Sequence, residues 1–110
     1  MALLHATQLA SAAVTNTVAP GTLLYTVPAG DRIILRSVAV RNLWGGGGNR
    51  VFIYVNGIVL WDPLLNAGQT AGDSQEWRPW IVATPGQTIR AQVSNANGVN
   101  VLVSGSIYTI

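Results

Sequence analysis

Cysteine is absent from this 110-residue chain, which excludes disulfides and thiolate metal sites. Lysine is absent as well, since the six basic residues are all arginine. Charged residues make up only 9% of the chain, against roughly 25% in an ordinary soluble domain. The net charge of +2 is too small for the basic stripe of a duplex-binding protein, so no nucleic acid is expected as a partner. No apolar run approaches the roughly 20 residues of a membrane-spanning helix, and no membrane partner is expected. Histidine occurs once, as His5. The opening residues include small side chains of the cleavage-site kind. However, they lack a basic region, and His5, Thr7 and Gln8 break the apolar stretch, so they do not read as a secretory leader.

What is present is strand signal. The length is that of one domain, able to bury a real core without staples. Residues 1–20 contain no glycine and read as an extended N-terminal arm or a first edge strand, with a short helix over residues 3–12 as an alternative. Pro20-Gly21 ends this arm, and residues 21–110 form the domain proper. Residues 22–27 make a short strand, turned by Pro28-Ala29-Gly30. Residues 32–41 make a long one. There Ile33 and Leu35 share one face while Val38 and Val40 share the other, a pattern that predicts a bulge near Arg36-Ser37.

The most informative segment is Val51-Phe52-Ile53-Tyr54-Val55, Asn56-Gly57, Ile58-Val59-Leu60-Trp61. Asn-Gly is the strongest signal for a two-residue hairpin turn. Such a turn pairs Val55 with Ile58, Tyr54 with Val59, Ile53 with Leu60 and Phe52 with Trp61. Both faces are then apolar. One lines the core, and the other, Phe52, Tyr54, Val59 and Trp61, is the candidate subunit interface.

Residues 62–78 read as a long surface loop. Residues 76–82 read as an edge strand interrupted at Pro79. Residues 87–94 alternate Ile89, Ala91 and Val93 with polar residues. They are expected to form a last hairpin through Gly98, pairing Val93 with Val101 and Ala91 with Val103. Its outer face would be solvated by Arg90, Gln92, Ser104 and Ser106. Many short strands without helical periodicity predict an all-β, antiparallel sandwich, jelly-roll-like.

Chemistry-bearing constellations are sparse. His5 has no nucleophile or orienting carboxylate near it in sequence. Asp31, Asp62, Asp73, Glu76 and His5 show no metal-ligand spacing. Asp73 and Glu76, the one carboxylate pair, fall in a polar loop rather than a framed cleft. Residues 45–48 are four glycines without the Lys-Ser/Thr end of a phosphate loop and read as a flexible linker. No catalysis, metal or cofactor is expected. The candidate partner contacts are Trp44, Trp77, Arg78 and Trp80. Together with Trp61 they are open to three readings: interface anchors, core packing, or a platform for stacking sugars or bases.

Several segments carry a resemblance. They are Tyr25-Thr26-Val27-Pro28-Ala29-Gly30, residues 32–38, Phe52-Ile53-Tyr54-Val55-Asn56-Gly57, Pro85-Gly86-Gln87-Thr88-Ile89-Arg90 and Val101-Leu102-Val103-Ser104-Gly105. In this order the chain resembles small β-sandwich proteins of tailed-bacteriophage particles. The resemblance implies a virion protein, most directly a homotrimeric capsid cement or decoration protein. Its expected partners are other copies of itself and the major capsid protein or other virion proteins. A tail, fibre or collar module binding a host-surface carbohydrate is the alternative. The resemblance brings no catalytic residues with it. Residues 45–48 and Trp77-Arg78-Pro79-Trp80 depart from the usual pattern.

Overall fold

Runs of β-branched residues with a two-residue burial period build the central strands of this chain. The computed structural model describes residues 3–109, with side chains from Thr7 onward. The reading of His5 therefore lies outside the described side chains. Ten strands follow in order: β1 (Leu3–Val14), β2 (Thr22–Thr26), β3 (Asp31–Asn42), β4 (Asn49–Val55) and β5 (Ile58–Trp61), then β6 (Leu64–Leu65), β7 (Ser74–Trp77), β8 (Ile81–Ala83), β9 (Thr88–Val93) and β10 (Val99–Thr109).

The strands form two antiparallel sheets packed face to face, a β-sandwich. One sheet, A, runs β1-β10-β3-β7, with β8 also on the free side of β3. The other, B, runs β2-β9-β4-β5, with β6 also against β4. Sheet A contributes Ile33, Leu35, Val38, Val40, Val99, Val101 and Val103 to the core; sheet B contributes Val51, Ile53, Ile89, Ala91 and Val93. All are buried, as alternation on a two-layer sheet requires.

The expected bulge in the long strand is there. Ser104 opposes Ser37 and Gly105 opposes Leu35, which leaves Arg36 as the extra residue of β3. The buried side switches across it, from Ile33 and Leu35 to Val38 and Val40. Gly105 fits the site because a Cβ there would run into the Ile34 carbonyl oxygen. The strand interrupted at Pro79 is also found, as β7 and β8 in tandem along the sheet edge.

Three expectations are corrected. First, residues 3–14 take the edge-strand option and not that of a detached arm or a helix: β1 pairs with β10 along its length and Val14 is fully buried. Second, β9 and β10 do not form a hairpin. Val93 opposes Val51 on β4, while Val101 opposes Val40 and Ala12. Gly98 does take positive φ (+97°), but residues 94–98 carry the chain from one sheet to the other. Two strands with one apolar face each satisfy that pattern equally well by turning those faces to the core from opposite sheets. Ser106 is buried accordingly, on a central strand flanked by β1 and β3.

Third, the Asn-Gly hairpin keeps its predicted register only at Val55–Ile58 and Tyr54–Val59. Asn56 and Gly57 have the expected positive φ of 50° and 81°. Beyond them Ile53 opposes Trp61, so Leu60 is an extra residue and Trp61 turns toward the core side.

Candidate functional surfaces

The bulge at Leu60 determines where the tryptophans go. Trp61 leaves the face of Phe52 and Tyr54 and meets Trp77, which comes from the edge of the opposite sheet. Their ring centroids lie 5.7 Å apart at an interplanar angle of 22°. Both rings are half-buried and pack on the core. The pair closes the seam between the sheet edges at β5 and β7. For these two residues the observed contacts are those of core packing.

Trp44 is also engaged within its own chain. A Cβ on Gly46 would lie 2.5 Å from the Trp44 Nε1 atom, and one on Gly47 would lie 3.0 Å from the same ring. The indole therefore lies flat on the glycine tract, so these glycines are a seat for a ring rather than a free linker. Buried Asn42 holds the loop: its Nδ2 donates to the carbonyls of Gly47 and Asn66, both at 2.9 Å, and its Oδ1 accepts from the Trp44 N–H at 3.0 Å. A buried amide with every group satisfied fixes loop geometry in this way. Asn49 does the same for the β9–β10 crossover. Its Nδ2 donates to the Asn95 carbonyl and its Oδ1 accepts from the Asn95 N–H, each at 2.9 Å.

Trp80 is different. It is 67% exposed, and the Arg36 guanidinium sits over its ring, 4.4 Å from the centroid. Arg78 is exposed beside it and forms an ion pair with Glu76. The segment 77–80 thus splits, with Trp77 turned inward and Trp80 outward. Trp77 ends β7, while Trp80 lies with Arg78 and Pro79 in the connection just before β8.

On the outer face of sheet B, Phe52 and Tyr54 are half-buried and Val59 is exposed. The Tyr54 hydroxyl donates to Gln92 Oε1 at 2.6 Å, and Gln92 Nε2 donates to the Thr17 carbonyl at 3.1 Å. Leu23 stands exposed opposite Arg90 on the same sheet. The free edge continues the apolar surface, with Ile58 63%, Leu60 45% and Leu64 54% exposed. Sequence reasoning assigned Ile58 and Leu60 to the core face and left Leu64 in a loop. The shortness of β5 and its position at the sheet edge put all three in the open.

The outer face of sheet A carries a depression of about 420 Å³ over Ala39, flanked by Glu76 of β7 and Leu102 of β10. The Arg41 guanidinium lies 3.6 Å from the Asp73 carboxylate at its end. Nothing in the sequence marked this site. Its signal is a small residue, Ala39, between longer ones on the outer face of a central strand.

Among the described residues, no group of three or more His, Asp or Glu side chains is placed to hold a metal ion. Tyr25, packed against the core, has its phenol raised above the ordinary value, first by burial and then by the Asp31 charge.

No protein-family model matches the chain, and no curated protein matches it in sequence. Among solved structures it is similar to a crystal structure of the Agl-KA catalytic domain, with 20% identity and a TM-score of 0.40. That match covers 88% of this chain and 21% of the other, so the chain spans about a fifth of the length of that structure.

Proposed function

We propose that this chain is a structural, self-assembling subunit of a tailed-bacteriophage particle, acting as a homotrimeric capsid cement or decoration protein and not as an enzyme. The strand orders β1-β10-β3-β7 and β2-β9-β4-β5 support reading the sandwich as a jelly roll, an architecture used in viral capsid and lectin domains.

One observation carries the assembly reading. The edge strand β5 and the residues beside it present Ile58, Val59, Leu60 and Leu64 to solvent, next to half-covered Phe52 and Tyr54. β5 is short and bulged, but proteins that remain monomeric also blunt such an edge chemically, with lysine, proline or an inward charge. Residues 58–61 contain none of these, and the chain has no lysine at all. An unpaired apolar edge continuous with an apolar face is the surface that a second copy covers, by strand pairing and side-chain burial together. Trp61 is withdrawn from that surface, so the interface is Phe52, Tyr54 and Val59 with Ile58, Leu60 and Leu64.

The experiment is sedimentation equilibrium on the intact chain and on a Val59→Lys/Leu60→Lys double variant. The expected result is a trimer mass for the parent and a monomer mass for the variant, with the variant still melting cooperatively. A parent that stays monomeric across the micromolar range, or a variant that keeps the trimer mass, overturns the reading.

A further inference from the structure

We propose that the outer face of sheet A is a binding site for a neutral oligosaccharide, with Trp80 as its stacking platform. This goes beyond assembly through sheet B and uses the opposite side of the molecule.

The argument starts from which aromatic ring is left free. Trp61 and Trp77 occupy each other, and Trp44 lies on its glycines. Trp80 alone keeps two-thirds of its surface open, with only Arg36 laid on it. The β3 bulge explains that contact. Leu35 and Val38 are both buried, so the two residues between them, Arg36 and Ser37, are turned away from the core together. Arg36 therefore reaches the ring from the central strand and fixes its plane.

Along β3, Arg36 is followed on the outer face by Ser37, Ala39 and Arg41. Ala39 floors the depression of about 420 Å³, whose lining includes Arg41, Ser74, Glu76, Asn100 and Leu102. That volume lies in the range of small-ligand sites. Ala39 lies three residue steps along the strand from Arg36, about 10 Å. Platform and depression are thus one short oligosaccharide apart.

Charge selects the ligand class. Glu76 is paired with Arg78, Asp73 with Arg41, and Arg36 with the Trp80 ring. The two carboxylates at the depression are each balanced by an arginine, so the depression itself carries no net charge to prefer an anion or a cation. The side chains of Ser74 and Asn100 make no hydrogen bond among the described residues, and both offer a donor and an acceptor. Paired charges, free neutral donors and acceptors, an apolar floor and an open indole match a ligand with hydroxyls around an apolar ring face. A neutral pyranose chain has that chemistry.

The test is titration calorimetry of the full chain with neutral hexasaccharides of glucose, galactose, mannose and N-acetylglucosamine, and with a hexauronate and a hexanucleotide. At least one neutral sugar is expected to bind. Trp80→Ala should weaken that binding about tenfold or more, Trp80→Phe should restore part of it, and Asn100→Ala should weaken it separately. Val18→Ser, at an exposed loop residue, should leave it unchanged. Circular dichroism verifies the fold of each variant, and an unchanged trimer mass keeps this result apart from the assembly reading. Absence of binding by every neutral sugar at millimolar concentration overturns the proposal, as does a Trp80→Ala variant of parental affinity. Preferential binding of the hexauronate or hexanucleotide overturns it equally.

Discussion

Trp61 and Trp77 reach each other from opposite sheets, their rings stacked with centroids 5.7 Å apart. The contact joins β5 to β7, two edge strands with no backbone hydrogen bonds between them. Offset aromatic pairs contribute about 0.5–1.5 kcal/mol beyond the area they bury. Each ring is only half-buried, so Trp61→Ala is expected to cost about 2 kcal/mol, less than a fully buried tryptophan. The Trp61→Ala/Trp77→Ala double variant should cost about 1 kcal/mol less than the sum of the singles. Urea unfolding of the four proteins checks this. Strict additivity would show that the rings are neighbours without coupling.

The place of β1 gives a second expectation. It covers one side of β10 along the whole strand and delivers Val14 into the core. Deleting residues 2–14 leaves β10 with an open edge and a cavity where Val14 sat. Loss of the side chain alone costs about 2 kcal/mol or more in cores of this kind. The truncated chain should therefore lose its cooperative thermal transition, as read by circular dichroism. A truncated chain that melts sharply near the parental temperature would return these residues to the status of a detachable arm.

How much of this was legible beforehand depends on which physical signal each feature leaves. The bulge at Arg36 could be read because it reverses burial parity within one strand, from Ile33 and Leu35 to Val38 and Val40. Asn56-Gly57 could be read because few other pairs tolerate two positive φ angles. Alternation, by contrast, says which face is apolar and not which strand lies alongside. The sequence therefore did not show that β9 and β10 lie in opposite sheets instead of pairing. The extra residue at Leu60 was invisible for a similar reason, since Ile58, Val59, Leu60 and Trp61 are all apolar and carry no parity to reverse. That one residue decides whether Trp61 belongs to an interface or to the seam of its own sandwich.

The glycine tract offers a third test, of seat against linker. Nothing lies within 4 Å of a Cβ built on Gly45, so Gly45→Ala should be neutral, or stabilising by about 0.4–1 kcal/mol through the unfolded chain. At Gly46 the same methyl meets the Trp44 indole. Gly46→Ala should displace the ring, cost about 1 kcal/mol as overpacking does, and shift the tryptophan emission. Two alanine variants with the same stability and the same emission would mean that the tract is indifferent to Trp44.

The last expectation concerns alkaline pH. Burial of the Tyr25 phenol, aided by the nearby Asp31 carboxylate, disfavours the phenolate and raises its pKa in the folded chain. In the unfolded chain the same group titrates near about pH 10. Between those two values the folded state holds the proton and the unfolded state has released it. Stability must fall as pH rises through that window, because the unfolded state binds fewer protons there. Below it the contribution is fully present. Tyr25→Phe removes the ionisable group, so its urea midpoint should decline less than that of the parent between about pH 9 and 11. Asp31→Asn should keep most of the parental decline, because burial is the larger cause. Equal declines in the parent and in Tyr25→Phe would assign the alkaline loss to other groups.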